Sequence, residues 1–279
     1  MKKNLILTAS VLSIVLLILS GCQETGGDST GRLSIKVTDA PFPVDFIEEA
    51  SVTITKVELR QDMESEENPF ITVFEGSKEF NLLDLRNGVV EELVDVEIPA
   101  GSYNLMRIYV ENAGIVVKEY GSYSVKVPSG SQTGIKMFIA PSLQVSGGLT
   151  AEVLLDFNLD KSFVLKGNLD SPSGIDGFNF KPVIRAVNNT TAGSIYGVVS
   201  DIDTLPIMGA AVSMTLDGVE TIAQTGEKGV YTMLGVPAGS YSMTASKDGY
   251  TSLTVEEVVV VEGNKTVQDF ELETAATTE

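Results

Sequence analysis

The chain has 279 residues and a formal net charge of −19, from 19 basic and 38 acidic side chains, with a single cysteine and neither histidine nor tryptophan. So acidic a balance lacks the basic footprint that nucleic acid or an anionic lipid surface requires of its partner, and it favours solubility. The side-chain inventory excludes zinc sites built on His or Cys, imidazole-dependent triads and redox dithiols, and leaves a carboxylate pair or a Ser–Lys arrangement as available chemistry.

The chain opens with Lys2 and Lys3, continues in an apolar run from Leu5 to Leu19, and reaches Leu19-Ser20-Gly21-Cys22. A positive start, a short apolar core and small residues at a cleavage point make residues 1–21 a secretory signal rather than a spanning helix. The Leu-Ser-Gly-Cys stretch resembles the lipobox of bacterial lipoproteins. That resemblance implies cleavage before Cys22, acylation of its thiol, and attachment to the membrane through lipid. Gln23 stands where an Asp accompanies inner-membrane retention in some Gram-negative bacteria, so the expected location is the outer membrane of the cell envelope, on its periplasmic or its surface face. Residues 22–31, polar and glycine-rich, read as the lipidated tether.

From Arg32 onward the pattern is strand. In RLSIKVT, Leu33, Ile35 and Val37 alternate with Ser34, Lys36 and Thr38, which puts one set on a core face and the other in water. SVTITKVEL, ITVF, NLMRIYV, YSVKV, GIKMFIA, AEVLLDF, SFVLK and KPVIRAV repeat the theme between Gly, Pro, Asn and Asp. Short, punctuated runs of this kind predict an all-β chain of antiparallel β-sandwich structure. In NLLDLRNGVVEEL, Leu82, Leu85, Val89 and Leu93 approach helical spacing, but Gly88 interrupts them, and the segment reads as strand plus turn. The polar stretch NNTTAG, residues 188–193, separates two sandwiches in tandem, 32–188 and 193–273, followed by a tail at 274–279. Each side has its own apolar alternation, so each is expected to fold independently.

The second region, from GSIYGVVSD through GVYTM and VPAGSYSMTASKDGY to TVQDFELE, resembles the carboxypeptidase regulatory-like domain. The resemblance rests on Gly197, Asp201, Gly209, Thr225, Gly229, Tyr231, Pro237, Gly239, Tyr241, Gly249 and Tyr250. It implies a transthyretin-type, seven-stranded sandwich and says little of function. The first region is similar to the domain of unknown function 4382, through GRLSIKVTDAP, NLLDLRNG, IPAGSYNLMRIYV and LDFNLDKSFV…FKPVIRAV. It implies no activity.

Pro-Ala-Gly-Ser-Tyr occurs twice, at Pro99–Tyr103 and at Pro237–Tyr241. Proline presets φ, glycine reaches conformations closed to other residues, and Tyr241, Met243 and Ala245 then share one strand face. Each copy therefore predicts a strand-to-strand corner, with Gly101 and Gly239 at positive φ.

The candidate chemical sites are few. Asp156, Asn158 and Asp160 alternate in DFNLDKS like the start of an EF-hand calcium loop, but Lys161 stands where the turn glycine belongs and Gly167 where the bidentate Glu belongs. The alternatives are a calcium site and the polar face of a half-buried strand. Asp62, Glu64, Glu66 and Glu67 crowd one loop, either as a solvated hairpin tip or as a carboxylate nest for a cation. Tyr120, Tyr123 and Tyr250 stand near turn glycines, where an aromatic ring either closes a sandwich edge or offers a sugar a platform. The resulting expectation is a non-enzymatic, lipid-anchored envelope protein displaying its sandwiches for adhesion, assembly or ligand capture, with a glycan or an envelope protein as partner and no cofactor other than calcium. The alternatives are a carbohydrate-binding lipoprotein and a carboxylate-dependent envelope hydrolase.

Overall fold

The computed structural model describes residues 30–40, 46–63, 68–127, 132–167, 174–216 and 218–275. The signal segment, Cys22, and Glu64, Glu66 and Glu67 of the acidic run lie outside the described residues. The first domain comprises β1 (Thr30–Ala40), β2 (Ile47–Gln61), β3 (Ile71–Asn81), β4 (Glu91–Pro99), β5 (Gly101–Val117), β6 (Gly121–Val125), β7 (Ile135–Val145), β8 (Thr150–Asn158), β9 (Phe163–Gly167), β10 (Ile175–Phe180) and β11 (Ile184–Asn188). They form a nine-stranded sheet, in the order β3-β2-β5-β7-β11-β8-β1-β4 with β6 added to β5, and a separate β9–β10 hairpin.

β7 joins the two halves of this sheet. Its residues 135–138 and 143–145 pair with β5, while Ile139 and Ala140 pair with β11. The edge strands β3 and β4 then meet through Lys78, which pairs with Glu91 at 3.0 Å and donates to the Glu92 carbonyl. The sheet is thereby wrapped around one core, built from Leu33, Ile35 and Val37 of β1, Val52 and Leu59 of β2, Met106 and Ile108 of β5, and Val153, Leu155 and Phe157 of β8. The alternation read from the sequence sets the faces. It does not set strand direction, and β1 runs parallel to β8 and β7 parallel to β11. NLLDLRNG becomes a 3-10 turn at Leu82–Leu85, capped by Asn81, and then a left-handed pair, Asn87 and Gly88, with φ of 56° and 82°.

The second domain comprises β12 (Gly193–Asp201), β13 (Ala211–Leu216), β14 (Val219–Gln224), β15 (Val230–Val236), β16 (Gly239–Ser246), β17 (Leu253–Val260), β18 (Lys265–Val267) and β19 (Phe270–Leu272). One sheet runs β15-β12-β18, with β19 also on β12, and the other runs β14-β13-β16-β17. Ile195, Val199, Val212, Met214, Tyr231, Met243 and Phe270 fill the core between them. β18 and β19 are two parts of one path broken at Gln268, whose carbonyl comes so near Gly197 that a Cβ there would stand 1.8 Å from it.

Both copies of the repeated pentapeptide are corners, and each moves the chain from one sheet face to the opposing one. The first leads from β4, at the edge beside β1, into β5 between β2 and β7; the second leads from β15 into β16 of the other sheet. In each, the tyrosine hydroxyl donates to the proline carbonyl four residues upstream, Tyr103 to Pro99 and Tyr241 to Pro237, both at 2.8 Å. A tyrosine closing such a corner onto upstream backbone is known from other sandwiches. The glycine expectation is corrected for one copy. Gly239 lies outside the left-handed region, and what its missing side chain provides is room, since a Cβ there would stand 3.2 Å from the Tyr241 hydroxyl oxygen. Gly101 has φ of 156°, near the extended region, and a Cβ there would meet Gln61 Nε2 at 2.8 Å.

The stretch between the domains is tied down. Asn188, buried at 3% exposure, donates to the Ser142 carbonyl and accepts from Thr190 N–H, both at 3.1 Å. Asn189 N–H and Thr190 Oγ1 bond to the backbone of Glu152 on β8. Leu154 and Val187 lie on the outer face of β8 and β11, away from the wrapped core, yet are 0% and 3% exposed. The second domain covers them. A Cβ at Gly235 of β15 would stand 3.0 Å from the Leu154 side chain, and one at Gly88 would stand 2.7 Å from Thr232.

Two outcomes follow from this geometry. Tyr103→Phe and Tyr241→Phe each remove one corner hydrogen bond, at about 0.5–1.5 kcal/mol apiece, and urea unfolding should show that loss with an unchanged slope. Leu154→Asp puts a carboxylate beneath the second domain and forfeits about 1.5–3 kcal/mol of apolar burial. Calorimetry should then resolve two transitions further apart than in the parent, while residues 193–279 alone still melt cooperatively on their own core.

Candidate functional site

The residues singled out as a calcium motif stand at the seam between the domains, and their oxygens are engaged. Asp156, on the outer face of β8, accepts from Arg185 of β11 through Nη2 at 2.6 Å and Nε at 3.1 Å. Burial pushes its carboxyl above the usual carboxylate range, against the opposing pull of the guanidinium. Asn158 Oδ1 caps the one-turn helix α1 (Leu159–Ser162) by accepting from Lys161 N–H at 3.0 Å, and its amide reaches the Glu220 carbonyl at 3.4 Å. Lys161 Nζ reaches the same carbonyl at 3.2 Å, so this motif bridges the first domain to β14. Asp160 is exposed. Among the described residues no three acidic, His or Cys side chains stand together as a metal set. A cavity of about 20 Å³ remains in the seam, lined by Thr38, Asp39, Asn87, Asp156, Thr221 and Thr232, which is room for one water.

The tyrosines separate by environment. Tyr120 is 46% exposed beside the β5–β6 turn, where Glu119 has φ of 66°. Tyr123 faces the core edge instead, its ring 5.7 Å from Phe178 in an edge-on contact. Only Tyr250 stands at a cleft.

That cleft, of about 750 Å³, lies at one end of the β14-β13-β16 sheet. The register puts Ala211 between Gln224 and Ser246, and the small alanine makes a floor. The β16–β17 turn, Lys247–Tyr250, forms one wall, closed by Tyr250 N–H to the Lys247 carbonyl at 3.0 Å, with Gly249 at φ 84°. The chain after β19 clamps this turn, Thr251 N–H reaching the Glu273 carbonyl at 2.7 Å and Ala275 N–H the Gly249 carbonyl at 2.9 Å. Opposite stand Met208, 61% exposed, and Gly209, whose carbonyl accepts from Lys247 Nζ at 3.2 Å.

The wall residues offer an amide (Gln224), hydroxyls (Ser246 and Ser252), one cation and one carboxylate (Lys247 and Asp248), and the Tyr250 ring, which is packed on the core behind it. Charges of both signs and a mixture of donors and acceptors suit a neutral, hydroxyl-rich ligand. Sequence reading found Tyr250 through its turn glycine. Gln224 and Met208 carry no local signal, because one ends β14 and the other lies in the loop before β13, and only the fold brings them together.

A model of the family described as "Domain of unknown function (DUF4382)" matches residues 30–182, and the "Carboxypeptidase regulatory-like domain" matches residues 194–273. No curated protein matches the sequence. Among solved structures, a carbohydrate-binding candidate from Bacteroides uniformis is 20% identical over 29% of this chain and 41% of that one, with a TM-score of 0.26. The shaft pilin SpaA of Lactobacillus rhamnosus GG is 10% identical over 90% of this chain and all of its own, with a TM-score of 0.27. The Bacillus anthracis TIE protein is 14% identical over 88% of this chain and 34% of that one, with a TM-score of 0.26. The chain thus spans less than half the length of the first and the last of these.

Proposed function

The chain belongs to the DUF4382 family and carries a carboxypeptidase regulatory-like domain, and we propose that it is a lipid-anchored envelope protein that captures a glycan without transforming it. The observation that carries this reading is the cleft at Tyr250. Its volume of about 750 Å³ lies within the range of about 300–1,000 Å³ usual for ligand sites, and its lining pairs an aromatic face with convergent hydrogen-bonding groups. The chain has no histidine to serve as a base, which favours binding over acyl or phosphoryl chemistry. The lipobox-like stretch ending at Cys22 would hold the protein at the membrane, and stable attachment requires more than one acyl chain on that residue. The expected location is the outer membrane, where the cleft would meet envelope glycans.

A glycan array with the full mature chain should return neutral oligosaccharides, and Gln224→Ala and Tyr250→Ala should each weaken that binding at least tenfold. Gln224→Ala is the cleaner variant, since Tyr250 also packs on the core. Its melt should equal the parent's, and unaltered binding by both variants would remove the cleft from the account. Cys22→Ala should move the protein from the membrane fraction to the soluble fraction of cells. Full retention in the membrane would sink the anchor.

A further inference from the structure

The outer face of the first domain's sheet divides in two. The β8–β11 half lies beneath the second domain, while the β3-β2-β5-β7 half is open. The register lays three rows of side chains across this open half. The first row holds Arg60 of β2, Leu105 of β5 and Phe138 of β7, with Phe70, one residue before β3, beside Arg60. The second holds Thr72, Glu58, Arg107 and Lys136, and the third Glu75, Lys56 and Tyr109.

Four cations and three aromatic rings thus share one surface with Glu58 and Glu75, on a chain of net charge −19. The surface is built around Glu58, whose side chain is 7% exposed. Its carboxylate accepts from Arg107 Nε at 2.6 Å, pairs with Lys56 at 2.6 Å, and takes the Tyr109 hydroxyl at 3.1 Å. Burial alone would push this carboxyl up, but the donors from Lys56, Arg107 and Tyr109 together outweigh it and hold it below the usual carboxylate range. The anion therefore stays charged and fixes the cations around it. Phe70 backs the guanidiniums, 4.0 Å from Arg107 and 5.5 Å from Arg60. Arg60 Nε is buried and has no hydrogen-bond partner among the described residues. Phe138 is 73% exposed, and Lys136 lies two residues before it on the same face of β7, about 7 Å along the strand.

We infer that this face is a second binding site, for an acidic polysaccharide whose sugar rings carry carboxylates. A pyranose presents an apolar C–H face that stacks on an aromatic ring, and an exposed ring with a cation one step along the strand matches a ring with its carboxylate. Charge complementarity selects the acid, because four cations stand here against the two carboxylates of Glu58 and Glu75, on a chain whose overall balance is strongly acidic. The site is in the other domain from the Tyr250 cleft, and the two take ligands of different charge, so either stands without the other.

The test uses the full mature chain with polygalacturonate, neutral dextran and poly-glutamate as probes, read by calorimetric titration at low and high salt. Polygalacturonate should bind, dextran should not bind at this face, and the affinity for polygalacturonate should fall as salt rises. Lys136→Glu and Phe138→Ser, both at exposed positions, should each weaken polygalacturonate at least tenfold with unchanged melting. Gln224→Ala in the cleft and Lys265→Glu on β18 should leave it unchanged. Absent binding at low salt, or binding indifferent to Lys136→Glu and Phe138→Ser, would overturn the inference. Poly-glutamate binding equally tight and lost in the same variants would overturn the sugar assignment.

Discussion

Side chains alternate along a strand, so each strand of a sheet has two faces, and in the first domain the inner one is wholly committed to a single wrapped core. Everything else the domain does has to happen on the outer face. β7 makes this so, because by pairing with β5 at both ends and β11 in the middle it turns two half-sheets into one surface. One half of that surface meets the second domain through Leu154 and Val187, and the other presents Glu58 with its ring of cations. The second domain, with its own core, is free to build its cleft at the sheet end farther along the chain.

The seam carries more than apolar contact. A buried ion pair such as Asp156–Arg185 contributes little net stability, since desolvating both charges offsets their attraction, but removing one partner leaves the other stranded. Its position beneath β14 and β15 therefore restricts how the domains sit, as do Asn158 and Lys161 on the Glu220 carbonyl. The bonded turn at Asn188–Ala192 adds to this restriction. A protein that displays two binding surfaces gains from holding them at a fixed angle, because two sites engage one polymer together only when their geometry permits it.

Most of the fold was legible, because it rests on local pattern. The alternation of Leu33, Ile35 and Val37 gave the inner face of β1, and the repeated Pro-Ala-Gly-Ser-Tyr gave two corners, though the tyrosine bond and not the glycine conformation proved common to both. The sites were less legible, for a reason that can be stated residue by residue. Glu58 and Arg107 are 49 positions apart, and their meeting depends on the register of β2 on β5, which shifts between Thr53 and Ile54 and again between Ile54 and Lys56. A single slip of register would turn the whole row inward. Likewise the spacing of the acids in DFNLDKS left a calcium site and a polar strand face both open, because sequence does not show Arg185, which arrives from β11 to take Asp156.

The most direct measurement of the divided outer face is residue-resolved hydroxyl-radical footprinting of the full chain, each side chain normalised to its rate in the unfolded protein. The account predicts that Phe138 oxidises nearly as fast as when unfolded, while Leu154 and Val187, on the same face of the same sheet, are strongly protected. Oxidation of Leu154 and Val187 at rates comparable with Phe138 would mean that the second domain does not cover β8 and β11, and would contradict it.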